Sequence, residues 1–197
     1  MARVRALLTA FGPFLGRPEN QSQQVLEHVL RRMPEPWRAQ LLPAHLGQLR
    51  LLVAGAARRG DLQVWLALGE SGLEGLPALE TLARNRYDFS GDPASAGGGD
   101  HLGELEEGGP ERIDLSSPAS LLAAGLRERG HALALSEDAG SHCCNGLLYL
   151  ASRAFAADPQ DQRQVYFLHL PRRPEQLAAQ ARLVHDALSW LAARHDR

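Results

Sequence analysis

The chain of 197 residues contains no lysine, and all 21 of its basic residues are arginines. That excludes Schiff-base chemistry and a lysine general base, leaving histidine, cysteine and carboxylates as candidate catalytic groups. Only two cysteines occur, and they are neighbours, Cys143 and Cys144. Adjacent Cα atoms lie about 3.8 Å apart, below the usual disulfide span, so the pair is no disulfide framework. No apolar run approaches the ~20 residues needed to cross a bilayer, and the N-terminus shows no apolar stretch followed by a cleavage site. These absences predict a reducing, cytoplasmic setting and no membrane partner. Clustered positive charge is missing too: the net charge is −2, from 21 basic and 23 acidic residues, with no basic tail or stripe. Phosphate-backbone binding needs such clustering, so nucleic acid is not an expected partner. Neither C-x-x-C nor H-x-x-x-H occurs, so no metal and no cofactor is expected.

What is present reads as an α/β protein. Hydrophobic residues make up 44% of the chain, enough for a substantial core, and residues 1–197 read as one domain. Strands are predicted over Val4–Thr9, Arg38–Pro43, Leu62–Leu68, Ala78–Arg86, His131–Leu135 and Gln164–Leu170. Helices are predicted from Asn20, as cap, to about Met33, over Leu46–Arg59 closed by Gly60, over Pro118–Arg129 capped by Ser117 and closed by Gly130, from near Asn145 to Ala157, and over Pro174–Ala193. In the last of these, Leu177, Ala181, Val184, Leu188 and Leu191 recur at helical spacing and form one apolar stripe. Residues 89–112 are glycine-rich, acidic and poor in apolar groups, and read as a long mobile loop. The alternation predicts a three-layer α/β/α fold with a mostly parallel, twisted sheet. In such sheets, sites gather at the carboxyl ends of strands. Phe11, Glu70, Cys144 and His169 all fall at or just beyond such ends.

The two cysteines sit in Ala139-Gly140-Ser141-His142-Cys143-Cys144-Asn145, between a strand and a helix start. Unpaired N–H groups and the dipole of a helix N-terminus favour a thiolate. A cysteine hydrolase also needs a histidine to carry the proton and usually a group that orients it. Of eight histidines, His28, His185 and His195 fall on helix surfaces, His101 lies in the long loop, and His45 and His131 sit at element edges. His169 differs by ending a strand just before Pro171. Glu70, Glu74 and Glu80 all lie near the strand end after Leu68, and their positions alone leave the acid open. Ser141 lacks the G-x-S-x-G elbow and reads as a turn or capping residue.

Four segments in register resemble the pyroglutamyl peptidase I family, also called pyrrolidone-carboxylate peptidases. The Ala139–Asn145 stretch resembles that family's A-G-T-[YF]-x-C-N, which implies that Cys144, not Cys143, is the nucleophile. Leu168-His169-Leu170-Pro171 is similar to its I-H-[VI]-P strand end and implies His169 as the histidine. Gly69, Gly72, Glu80, Ala83 and Asn85 fall in register with G-x-A-G-G-R-x-x-[IL]-x-x-E-x-x-A-x-N, which implies Glu80 as the acid. Ala10-Phe11-Gly12-Pro13-Phe14-Leu15-Gly16, followed by Asn20, resembles G-F-x-P-F-G-G. That likeness implies that Phe11 and Phe14 embrace a pyrrolidone ring, with Asn20 and Glu70 in the same binding pocket. It also implies a peptide substrate with an N-terminal pyroglutamate and a homotetramer.

The chain departs from the family pattern at several places. Leu73-Glu74-Gly75 stands for Gly-Gly-Arg, Ser90 for an arginine that assists the oxyanion site, and His142 for an aromatic residue. Arg84 and Arg86 are the candidate substitutes for that arginine. Two other readings follow from these departures. One is an amide or ester hydrolase whose negative rim, Glu70 and Glu74, prefers a cationic group. The other is a catalytically silent binding protein of the same fold.

Overall fold

A computed structural model describes residues 5–14, 16–35, 37–59, 62–72, 75–91, 101–156 and 162–195. Four parallel strands form the centre: β1 (Arg5–Phe11), β2 (Trp37–Leu42), β3 (Leu62–Ser71) and β10 (Gln164–Pro171). The short strands β4 (Ala78–Glu80) and β9 (Ala134–Ser136) complete a six-stranded sheet in the order β2-β1-β3-β10-β4-β9. β4 runs antiparallel to β10, and β9 runs parallel to β4.

The central strands are apolar on both faces, as a doubly covered sheet requires. In β3, Val64, Leu66 and Leu68 enter one core cluster while Trp65 and Ala67 enter the other, the two-residue alternation of a strand. Helices α1 (Gln21–Leu30), α3 (Ser116–Glu128) and α5 (Leu177–His195) cover the first face. Helices α2 (Leu46–Ala57) and α4 (Cys143–Ala156) cover the second. The fold is therefore the expected three-layer α/β/α arrangement. The stripe foreseen in α5 is buried from Ala181 through Val184 and Leu188 to Leu191, and Leu177 packs at its edge. Helix α3 meets α5 so closely that a Cβ on Gly125 would stand 2.0 Å from Trp190 Nε1. The buried indoles keep polar partners, Trp37 Nε1 on Leu188 O at 3.2 Å and Trp65 Nε1 on Thr9 Oγ1 at 2.9 Å.

Several local expectations need correction. The single strand foreseen over 78–86 is broken after Glu80: β4 stays in the main sheet, and β5 (Leu82–Arg84) pairs with β8 (Arg112–Asp114). The reason is packing, because Leu79 belongs to one core cluster and Ala83 to the other, so the chain must cross the sheet edge between them. The stretch read as one loop from 89 to 112 carries β7 (Leu102–Gly103), paired with β6 (Tyr87–Asp88). Phe89 and Leu105 are buried there, and Asn85 clasps Glu106 through two main-chain bonds, Nδ2 to O at 2.7 Å and N to Oδ1 at 2.9 Å. Gly97, Gly98 and Gly99 lie outside the described residues, as do Val4, Leu15, Gly60, Leu73 and Glu74. Helix α3 has Leu115, not Ser117, at its N-cap and no side-chain cap, and Asp114 Oδ1 accepts Ser116 N–H at 2.8 Å in the turn that leads into it. Gly130 closes it as expected, in a left-handed conformation at φ 83°. The strand foreseen at 131–135 shrinks to β9, and His131 instead meets Asp186 at 2.6 Å.

Candidate active site

Helix α4 begins at Cys143, two residues before the expected start, so Cys144 lies in its first turn. Gly146 N–H makes the intrahelical bond to His142 O at 2.9 Å. The N–H groups before it have no acceptor within the helix, and the dipole there attracts negative charge. Gly140, at φ 79°, supplies the left-handed turn that brings β9 round into this helix start. Asp138 Oδ1 holds that turn by accepting Gly140 N–H at 3.1 Å. Neither cysteine forms a disulfide; Cys143 is buried in the core and Cys144 is partly open.

His169 and Glu80 arrive from the sheet. His169, near the end of β10, places Nδ1 2.6 Å from Glu80 Oε1 at the end of β4. Both are buried, and Glu80 Oε2 has no hydrogen-bond partner, so that carboxylate is committed to the imidazole. Burial, the largest influence on His169, lowers its basicity. The hydrogen bond and charge of Cys144, followed by those of Glu80, outweigh burial and push His169 up from 6.5 to about 10. A strongly basic imidazole facing a thiol is the arrangement in which a histidine can carry the proton of a cysteine hydrolase. Gly69 faces this histidine across the β3–β10 ladder, where a Cβ would stand 3.0 Å from His169 Cδ2 and 2.7 Å from Phe167. Glycine at that position is thus a packing requirement.

Beside Cys144 opens a recess lined by Phe11, Phe14, Asn20, Ala44, Glu70, His142 and both cysteines. A wider groove shares Phe14, Glu70, His142 and Cys144 with it and continues past Glu80 and His169 to Leu76 and Asp138. All seven sequence-predicted site residues therefore converge: Glu80, Cys144 and His169 on the groove, and Phe11, Phe14, Asn20 and Glu70 on the recess. Phe11, at the end of β1, packs on Phe167 with ring centroids 6.5 Å apart, and Phe167 lies 4.9 Å from the His169 ring. Asn20 is fully engaged in shaping the wall. Its Oδ1 caps α1 by accepting Ser22 N–H at 2.9 Å, and its Nδ2 donates to Gly12 O at 3.0 Å. Among the described residues, no helix is long and apolar enough to cross a membrane.

The pyroglutamyl peptidase family model matches residues 4–190. The chain belongs to that family. A pyrrolidone-carboxylate peptidase of Erwinia tasmaniensis is 31% identical over 180 residues, covering 87% of this chain and 80% of the relative. One from Streptomyces coelicolor is 29% identical over 176 residues, covering 88% and 81%. The crystal structure of pyrrolidone carboxyl peptidase from Thermus thermophilus superposes with a TM-score of 0.77 at 28% identity, covering 93% of this chain and 98% of that one. Pyroglutamyl peptidase I from Bacillus amyloliquefaciens shares the fold, with a TM-score of 0.80 at 21% identity over 96% and 95% of the two chains. This member of the pyroglutamyl peptidase family is a cysteine-type peptidase.

Against the family pattern, the carboxylates and arginines hold some surprises. Strand β3 runs past its expected end at Leu68 and takes Glu70 with it, so Glu70, like Glu80 in β4, is a buried strand residue. The negative rim expected from Glu70 is cancelled, because Arg17 Nη1 donates to Glu70 Oε1 at 2.6 Å and Gln21 N–H donates to Oε2 at 2.7 Å. Neither Arg84 nor Arg86 turns into the groove. Arg84 donates to Glu137 O at 2.6 Å, and Arg86 lies on the surface 3.9 Å from Asp138. Ser90 is exposed and donates its N–H to Asp88 at 2.9 Å. His142 takes the aromatic role by packing on Phe89 at 5.1 Å.

Two residues escaped the sequence reading. Asn145 is buried in the first turn of α4, with Oδ1 on Arg84 N at 2.9 Å and Nδ2 on Arg84 O and Arg86 O, both at 2.8 Å. It ties the start of α4 to the segment after Glu80. Its signal was present, since asparagine inside a helix is disfavoured unless its amide has a job. Arg17 was hidden by its loop, and only its spacing of three from Phe14 hinted at a shared face.

Proposed function

We propose that this chain hydrolyses the amide bond after an N-terminal pyroglutamyl residue of peptides, through Cys144, His169 and Glu80. The observation that carries the reading is the buried His169–Glu80 contact of 2.6 Å beside a cysteine at a helix N-terminus. In this mechanism, the Cys144 thiolate attacks the acyl carbon and the carbonyl π electrons move onto oxygen. N–H groups of the first turn of α4 bind that oxyanion. The tetrahedral species collapses, the C–N bond breaks, and imidazolium His169 gives its proton to the departing amine. Water then attacks the thioester while His169 takes its proton, releasing pyroglutamate and restoring the thiolate. Glu80 holds the imidazole by Nδ1 and balances its charge throughout. Phe11 and Phe14 supply apolar walls for a flat ring.

The family membership supports the substrate class, and the cancelled charge on Glu70 disfavours the cationic alternative. We also propose a cytoplasmic homo-oligomer, for which light scattering on the purified chain is the direct measurement. The test of function is turnover of a chromogenic pyroglutamyl amide. Cys144→Ala should abolish it, and Cys143→Ala, which leaves the Cys144 thiol in place, should retain most of it. Equal loss in both variants, or no turnover by the native chain, overturns the proposal.

A further inference from the structure

Arg17 belongs to none of the residues assigned above, yet it holds the one carboxylate that the recess and the groove share. Glu70 has a side chain only 1% exposed, while that of Arg17 is 30% exposed. The guanidinium joins three parts of the site. Nη1 bonds Glu70 at 2.6 Å, Nη2 donates to Glu19 O at 3.3 Å, and the guanidinium carbon sits 5.5 Å from the centre of the Phe14 ring. Among the described residues, the remaining carboxylates on the groove are engaged elsewhere: Glu80 with His169, and Asp138 with Gly140 N–H and near Arg86. A buried carboxylate without a cation would draw one from whatever ligand reaches it.

We infer that Arg17 sets the selectivity of the recess, neutralising Glu70 so that an uncharged acyl ring is accepted and one bearing a protonated amine is rejected. The inference rests on the peptidase reading for its choice of ring. A pyroglutamyl and a prolyl residue share a five-membered ring of nearly the same shape. The first has a neutral lactam, and the second a secondary ammonium. Apolar walls such as Phe11 and Phe14 discriminate poorly between rings of one shape; a compensated or uncompensated carboxylate discriminates by charge. Arg17 thus acts as a specificity determinant with no part in bond breaking.

The test is a binding titration in the Cys144→Ala chain, with pyroglutamide and prolinamide as probes. With Arg17 in place, pyroglutamide should bind more tightly. Arg17→Gln should move the affinity ratio at least tenfold toward prolinamide. Arg17→Lys, which keeps the charge, should hold the original preference. The double variant Arg17→Gln/Glu70→Gln, with neither charge, should return most of the shift. Thermal melts identify folded variants, and the partly exposed Arg17→Lys serves as the reference. Equal weakening of both probes in Arg17→Gln, an undiminished shift in the double variant, or no starting preference overturns the inference. Turnover by the native chain without any ratio shift sinks this inference alone. An intact ratio shift without turnover sinks only the peptidase reading.

Discussion

Replacing Glu80 by glutamine removes one charge while conserving shape, and the structure fixes what should follow. Glu80 Oε1 stands 2.6 Å from His169 Nδ1, and Oε2 is buried with no partner. An amide in that place either keeps its oxygen on the imidazole, burying an NH2 without an acceptor, or presents the NH2 and forces the tautomer that cannot take a proton from the thiol. Opposite charges about 4 Å apart at an effective dielectric of 20 interact by about 4 kcal/mol. Loss of that stabilisation from the imidazolium corresponds to about three orders of magnitude in rate. A comparable substitution in the serine-protease triad costs about four. The expected result is therefore a fall of about 10³ to 10⁴ in kcat on a pyroglutamyl amide, with KM within a few-fold of native. The alkaline limb of the pH–rate profile should also move down, because Glu80 helps to hold His169 protonated. Steady-state kinetics from pH 6 to 11, with a melt to confirm folding, provide the assay. A glutamine variant within tenfold of native and with an unmoved alkaline limb would refute the role given to Glu80.

The elevated basicity of His169 also bears on stability. Its folded value, about 10, exceeds the ordinary 6.5, so its contribution is fully present below about 6.5 and is lost as pH rises through about 10. Melting curves of the native chain and His169→Gln should converge near pH 10, and convergence by pH 8 would contradict the assignment. Asn145→Ala removes three part-buried hydrogen bonds. At about 1 kcal/mol each it should destabilise by about 3 kcal/mol and lower Tm by about 6–12 °C; a shift under 2 °C would show the clasp to be dispensable. Gly125→Ala inverts the usual helix rule. The alanine gains about 1 kcal/mol in propensity, but its Cβ would meet Trp190 Nε1 at 2.0 Å, and overpacking costs about 1–3 kcal/mol. Urea titration should show a net loss that Trp190→Phe partly restores, whereas a gain would mean the two helices separate easily.

Much of the architecture was legible in the chain because the relevant signals are local. Doubly apolar runs such as Leu62–Leu68, the Asn20 cap and the stripe from Leu177 to Leu191 report burial through periodicity alone. The site was legible for a related reason. Phe11, Glu70 and His169 end strands and Cys144 starts a helix, so a parallel sheet gathers them at one edge whatever its strand order.

Other features depend on contacts between distant segments. Glu70 and Glu74 looked alike as acids in a glycine-containing stretch, but only tertiary structure brings Arg17 and the start of α1 onto Glu70. The break after Glu80 arises because Leu79 and Ala83 pack in opposite cores, information carried by the two faces of the sheet and not by the strand-like run itself. The same holds for residues 101–112, whose polar composition suggests a loose loop until Asn85 and Arg153 engage Glu106. Composition and spacing thus determined the fold class and the stretch that holds both cysteines, while the family resemblance singled out Cys144, His169 and Glu80. Tertiary structure decided which charges survive in the site, because a buried charge is defined by its neighbours in space.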